Sequence, residues 1–512
     1  MTFPHLTDDC ILKILKYLQH YHSILFNCLL VNRFWCRATV PLLYSSPFEI
    51  NSKNNCLIIF TLILCFSKPE ILRLKNQIKI INLNNNIDID DKYEDYEPLF
   101  EYPKYLEVFD YTKVNSTLMK WIQGDLKNLL HGHRNKISDD FIPIFYQSIL
   151  QQSVNIKHLD ISLYYIKTLT SNLSTSNLTK LNSLVLHLHD IEDQGFLNSI
   201  SNTYLNLKKL EIDYIADTSY LTTIKEKVCS IIQKQNNLET FKISNYLDLS
   251  NDIILSLKFQ SHSLVYVEFD NNILCEGTFK NLLNLFNLKH LKIYECEILS
   301  LVQYEINYTS FNLKSLDIEY NNWNNNDDII LSSIIKYFGS SLQKFVLIEP
   351  LKLPIIENIL KYCLNLIILE IRINSNIDSL VFPYFKNLNV RMLNIVFFPS
   401  YDDYNDEMFK NLGINLPISV KEVSISFVHS FDLWPISSII DFIENCHNYL
   451  IRININNFYI ELNLLKVILN YIERSNSLKF LGISKYYTKF NDEELELFDQ
   501  IKAKGVKLVE FV

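Results

Sequence analysis

A chain of 512 residues is too long for one ordinary globular core, so several domains or one repetitive array are expected. With 48% hydrophobic and 21% charged residues the balance is globular, not disordered. A formal net charge of −9, with Lys and Arg scattered along the chain, argues against a general electrostatic grip on nucleic acid.

Glycine narrows the field further. There are eight, and the closest two, Gly124 and Gly132, leave no room for G-x-G-x-x-G, a P-loop or G-x-S-x-G. Nucleotide enzymes and α/β-hydrolases with those fingerprints are excluded. The opening Met1-Thr-Phe-Pro-His-Leu6 lacks the basic and apolar parts of a signal peptide. The longest apolar run, Leu57 to Phe66, is far short of the roughly 20 residues that span a bilayer. A soluble chain, cytoplasmic and/or nuclear, is expected. The ten cysteines form no C-x-x-C and read as small buried hydrophobes. The close histidine pairs, His131/His133 and His187/His189, lack further zinc ligands, so a structural role, no metal and no cofactor are expected.

Helical periodicity opens the chain. Ile11, Ile14, Leu15 and Leu18 lie at i, i+3, i+4, i+7, with Thr7 as cap and Asp8 and Asp9 at the positive end of the dipole. A second helix is predicted from about Ser23 to Leu30. Asn32 then caps a third carrying Phe34, Trp35 and Ala38, which Pro41 ends or kinks. Three short helices in fewer than fifty residues are marginal alone and want a second surface, either the rest of the chain or a partner. Residues 49–77 read as a helical linker or cap before a repeating part at 78–512.

From Ile156 onward the pattern L-x-x-L-x-L recurs, with Ile, Val or Phe allowed. The hexamers start at Ile156, Leu181, Leu207, Leu238, Leu264, Leu288, Leu313, Leu342, Leu366, Val390, Val420, Leu450, Leu478 and Val506, at separations of 24 to 31 residues. Weaker precursors start at Ile78, Leu106 and Leu126. Inside each hexamer the period is that of a strand. Between hexamers it is that of a helix, as in Phe279/Leu282/Leu283/Phe286, Ile356/Ile359/Leu360/Cys363 and Ile436/Ile439/Ile440/Ile443. One strand and one helix per repeat, stacked in series, predict an α/β leucine-rich-repeat solenoid with a curved parallel sheet inside and helices outside. The ninth position of that repeat takes Asn or Cys to satisfy the turn after the strand, and Asn272, Cys296, Asn321 and Asn374 occupy it. Polar stretches at 88–97, 321–328 and 401–407 read as solvated insertions.

The segments Leu6-Thr-Asp-Asp-Cys-Ile-Leu-Lys-Ile-Leu-Lys-Tyr-Leu18, Leu25 to Leu29 and Val31-Asn-Arg-Phe-Trp35 resemble an F-box, and the continuation Cys36 to Phe48 resembles the fungal family that joins an F-box to leucine-rich repeats. One departure is Thr7, where the motif usually has proline. The resemblance implies an F-box over 1–48 and a substrate-recognition subunit of an SCF-type ubiquitin ligase. Such a subunit performs no covalent chemistry. It docks on a Skp-type adaptor, through it on cullin, and raises the target's effective concentration at the conjugating enzyme. By matching positions, Leu6, Ile11, Ile14, Leu15, Leu18, Leu25, Val31 and Trp35 form the adaptor interface or its support, with Ile14, Leu18 and Val31 the most internal and Cys28 and Cys36 in the same cluster.

A target protein is expected on the concave sheet, where the third, fifth and seventh residues of each hexamer unit face out. Glu211 and Asp213, Glu268 and Asp270, and Asp317 and Glu319 form acidic pairs there, with Tyr266 and Tyr294 nearby and Lys344, Arg372 and Arg452 further on. Those pairs predict a preference for a basic or lysine-rich segment. The alternative functions are an interaction scaffold or a direct enzyme regulator working outside any ubiquitin ligase.

Overall fold

The computed structural model describes residues 7–49, 56–81, 98–125, 134–166, 178–188, 195–214, 221–245, 251–299, 312–323, 327–374, 377, 379–398, 407–428, 436–458, 460–484 and 490–511. Leu6, His131, His133, His189, the insertions at 88–97 and 401–406, and the hexamer at Leu126 lie outside the described residues. Two compact units divide the chain, the first built from residues 1–246 and 252–264, the second from 247–251 and 265–512.

The first unit begins with α1 (Asp8–Tyr17), α2 (His22–Leu29) and α3 (Arg33–Leu43). They form around one small core of Ile11, Leu15, Leu25, Cys28 and Leu43, against which Leu18 and Trp35 pack. The side-chain oxygen of Asn32 accepts the backbone N–H groups of Phe34 and Trp35 at 2.9 and 3.0 Å, which starts α3 as the sequence predicts. Thr7 holds the extended N-cap conformation of α1, but its hydroxyl makes no capping bond, contrary to expectation. Pro41 does not end α3, which continues to Leu43. α4 (Cys56–Ile63) turns the apolar run into core, with Ile59, Leu62 and Phe66 buried. α5 (Lys68–Ile81) covers the start of the hexamer at Ile78, so that precursor opens in a helix and not in a strand.

Strands of this unit are β1 (Val108–Asp110), β2 (His158–Ser162), β3 (Ser183–Leu188), β4 (Lys209–Tyr214) and β5 (Thr240–Ser244), all parallel and in sequence order. The precursor at Leu106 is thus a true strand, with α6 (Tyr111–Asp125) and α7 (Arg134–Gln152) filling the long interval to β2. A repeating pair of bonds joins successive repeats of this unit. The N–H groups of Lys157 and His158 both donate to the Glu107 carbonyl, and those of Asn182 and Ser183 to that of Lys157. Glu107 and Val108 donate in the same way to Ser45, just past α3. Ser45 therefore stands where a preceding repeat would, and the N-terminal helices end in the register of the array.

The second unit holds β6 (Tyr266–Asp270), β7 (Ile273–Leu274), β8 (His290–Tyr294), β9 (Glu297–Ile298), β10 (Ser315–Glu319), β11 (Lys344–Pro350), β12 (Ile368–Asn374), β13 (Met392–Phe398), β14 (Glu422–Phe427), β15 (Arg452–Asn456), β16 (Phe480–Ser484) and β17 (Lys507–Phe511). β7 and β9 form a small parallel pair of their own, and the others form ten consecutive parallel strands among the described residues. Fourth-position residues align in a row, Val267, Leu291, Leu316, Phe345, Leu369, Leu393, Val423, Ile453 and Leu481, all buried. Each such side chain contributes on the order of 1.5–3 kcal/mol by burial. The last hexamer is the exception, since Leu481 faces Leu508 and not Val509, one residue out of the predicted register.

Helices alternate with the strands on the buried side, for instance Leu353–Tyr362, in which Ile355, Ile356 and Ile359 face inward. Of the predicted helical stripes, Phe286 is the clear departure, because its helix stops at Leu282 and leaves the ring exposed. The architecture is the α/β leucine-rich-repeat solenoid that the spacing predicts.

Candidate functional site

Two surfaces carry the expected functional residues, and the first is made by α1, α2 and α3. Ile11, Leu15 and Leu25 are buried, while Leu18 and Trp35 are half-buried against the same core. The expectation for Ile14 and Val31 is corrected, since they are 37% and 58% exposed and not internal. α1 offers only Ile11 and Leu15 to the core because the three short helices enclose a core too small to take the whole stripe. Cys36 likewise stays outside the cluster that buries Cys28. Exposed with Ile14 and Val31 are Leu12, Tyr17, Tyr21, Ile24, Phe26 and Leu30, Tyr17 and Leu30 at 87% and 85%. Sequence reasoning passed over these six because they fall off the helical stripe. Apolar residues on both faces of so short a helix are the signal that could have found them.

On the second surface, the outward-facing strand residues of the first unit include Glu211 and Asp213. Glu211 is held by Lys209 at 2.7 Å. Asp213 accepts the Asn245 amide at 2.7 Å and pairs with His187 at 2.9 Å, while Asp160 takes the other imidazole nitrogen at 3.1 Å. Burial disfavours the charged imidazole, but the hydrogen bonds to Asp160 and Asp213 outweigh it and raise its pKa to about 9. His187 thus has the satisfied structural role expected of it.

Within the second unit the acidic residues are also compensated. Asp317 pairs with Lys344 at 3.5 Å and accepts Ser315, Glu319 pairs with Lys292 at 3.4 Å, and Glu268 accepts the Tyr266 hydroxyl at 2.7 Å. Cross-strand lysines stand opposite Asp317 and Glu319, which one hexamer taken alone does not reveal.

Ninth-position residues close the turns at the strand ends. The Asn321 side chain accepts the Cys296 N–H at 2.8 Å and donates to the Ile293 carbonyl at 3.2 Å. Just before them, Asn271, Glu295 and Tyr320 adopt left-handed φ values of 52°, 50° and 58°. Asn suits that region, whereas Glu and Tyr are strained there by on the order of 1 kcal/mol or more. Asn374 departs from the pattern and accepts from Arg372 Nε at 2.9 Å. The Arg372 guanidinium lies 3.8 Å from the Phe398 ring centroid.

Comparison with known proteins adds little. No protein-family model and no curated protein match the sequence. A solved structure, the crystal structure of the Rad7 and Elc1 complex in yeast, is similar over 79% of this chain and 98% of that one, at 14% identity and a TM-score of 0.36. A likeness that distant carries no functional argument.

Proposed function

We propose that the protein is the substrate-recognition subunit of an SCF-type ubiquitin ligase. Its F-box docks on a Skp-type adaptor and so on cullin, and its repeats hold a target protein on the concave face for ubiquitin-dependent proteasomal degradation. The reading rests on the F-box resemblance of residues 6–35. The observation that carries it is the group of eight large apolar side chains, from Leu12 to Val31, exposed on α1, α2 and the turns that flank α2. A surface so apolar is stabilised by a partner rather than by water. The receptor itself is proposed to catalyse nothing: it contributes proximity between the target and the conjugating enzyme.

Affinity capture of the tagged full chain from its native cell tests this reading. An adaptor–cullin pair is expected with the wild type and is lost with Leu30→Asp plus Val31→Asp, whose exposed positions leave the small core intact. Absence of the pair from the wild type, or its persistence with the double variant, overturns the reading in favour of a scaffold that works outside any ubiquitin ligase.

A further inference from the structure

Nine strands of the second unit, β6, β8 and β10 to β16, start from one backbone ladder. From Lys289 to Lys479, the residue just before each strand donates its N–H to the carbonyl of its counterpart one repeat earlier, at 2.7–2.9 Å, beginning with the Val265 carbonyl. Five of the nine residues in that row are cations, Lys289, Lys314, Arg391, Lys421 and Lys479, and none is a carboxylate. Arg391 reaches Glu422 at 3.7 Å, and the four lysines make no ion pair among the described residues. The next row, made by the first residue of each strand, adds Lys344 and Arg452 against one carboxylate, Glu422. Other carboxylates of the strand face begin two residues further on, at Glu268, Asp317 and Glu370, about 7 Å along the strands. At the helix ends that feed the same turns, exposed Lys361 and Lys386 stand against Glu444 and Glu473, and Glu473 is paired with Lys504 at 2.8 Å. This edge is therefore net positive, in a chain whose formal net charge is −9. The turns also present a row of bulky apolar side chains. Phe286, Leu364 and Ile418 each stand three residues before their member of the ladder, and Tyr449 stands two before Ile451. They are 61%, 71%, 87% and 66% exposed.

We infer that this edge of the second unit lies on an anionic lipid bilayer, with the cations at the headgroups and the four apolar side chains inserted between them. Lysine and arginine near the surface of an anionic leaflet are attracted to it, and bulky apolar side chains beside them gain by leaving water for the acyl boundary. Long lysine stems let the ammonium groups stay at headgroup level while the turn sinks below them. Nine strands span about 38 Å, a line of charge that a broad anionic surface can meet along its whole length. Leu364 and Ile418 have no ring on which a base could stack, which favours a lipid surface over a nucleic acid. The contact is peripheral, made by side chains of turns. It goes beyond the proposed receptor function and does not depend on it.

Co-sedimentation of the full chain with vesicles tests the inference, using phosphatidylcholine alone and an equal mixture of phosphatidylcholine and phosphatidylserine. The chain is expected to bind the mixed vesicles, more weakly as salt is raised, and to bind phosphatidylcholine alone about tenfold more weakly or less. Lys289→Glu, Lys421→Glu and Lys479→Glu together weaken binding to the mixed vesicles about tenfold or more, because attraction becomes repulsion. Leu364→Asp plus Ile418→Asp also weakens it about tenfold or more, which charge alone would not produce. Should the triple variant fail to fold, Lys479→Glu alone gives the same direction, because it is exposed and breaks no ion pair among the described residues. No binding to the mixed vesicles, equal binding to both kinds, or binding unchanged by the charge reversals or by the apolar substitutions overturns the inference. Capture of a single-stranded oligonucleotide in place of the mixed vesicles overturns it in favour of nucleic acid. The assay contains neither adaptor nor target, so its outcome and that of adaptor capture are independent.

Discussion

The carboxylate of Glu349 accepts both the backbone N–H of Asn321, at 2.6 Å, and the side-chain amide of the same residue, at 3.2 Å. Glu349 is almost fully buried, one repeat beyond Asn321, and ends the ladder that runs through Cys296. Burial pushes its carboxyl up to about 7, against the hydrogen bonds from Asn321 and Trp323 that favour the ionised form.

Glu349→Ala strands the Asn321 donors and is expected to destabilise the repeats by about 1–3 kcal/mol, measured by chemical denaturation. Glu349→Gln keeps an acceptor and costs less. The unfolded chain releases this proton near 4.5 and the folded chain near 7, so the folded state binds more protons between those values. Its contribution to stability therefore falls as pH rises from 4.5 to 7, and the Gln variant removes that slope.

His187 has the opposite sign of interaction. Its folded pKa, about 9, lies above the ordinary 6.5, so the stabilisation from Asp160 and Asp213 is complete below 6.5. That stabilisation is lost as pH rises through 9. Wild type minus His187→Gln, followed by denaturation across this window, is expected to shrink towards alkaline pH. A difference that stays flat refutes the assignment.

Thr7 has φ −66°, the angle that proline imposes. Thr7→Pro is expected to be tolerated and to stabilise by about 0.4–1 kcal/mol through the unfolded chain. A clear loss in thermal unfolding would count against the extended N-cap at this position. By contrast, Leu15→Ala empties the centre of the three-helix core and is expected to cost about 2–5 kcal/mol.

Gly413 lies where its helix meets the next one. A Cβ there would stand 2.6 Å from the Phe442 carbonyl oxygen, a backbone atom that cannot swing away. Gly413→Ala is expected to destabilise by about 1–3 kcal/mol despite its better helix propensity, measured by the denaturation midpoint.

Much of this fold was legible because its signals are local. The hexamers at Leu264, Leu288 and Leu313 became strands in the predicted register, and Asn32 capped the helix before Trp35. The hexamer at Ile78 was misread because a short apolar run suits a helix as well as a strand. The first surface was half legible. Its buried members followed the helical period, whereas its exposed ones depended on how much core three helices enclose.

The sequence by itself determined the repeat, its period and which face of each strand is buried, because alternation is a property of each segment alone. Only the tertiary structure decided which charges meet. Stacking makes neighbours of residues 24 to 31 positions apart, so Lys344 reaches Asp317 and Asp213 reaches His187. It also decided that Ile14 and Val31 face outward, because burial depends on what the rest of the chain leaves uncovered.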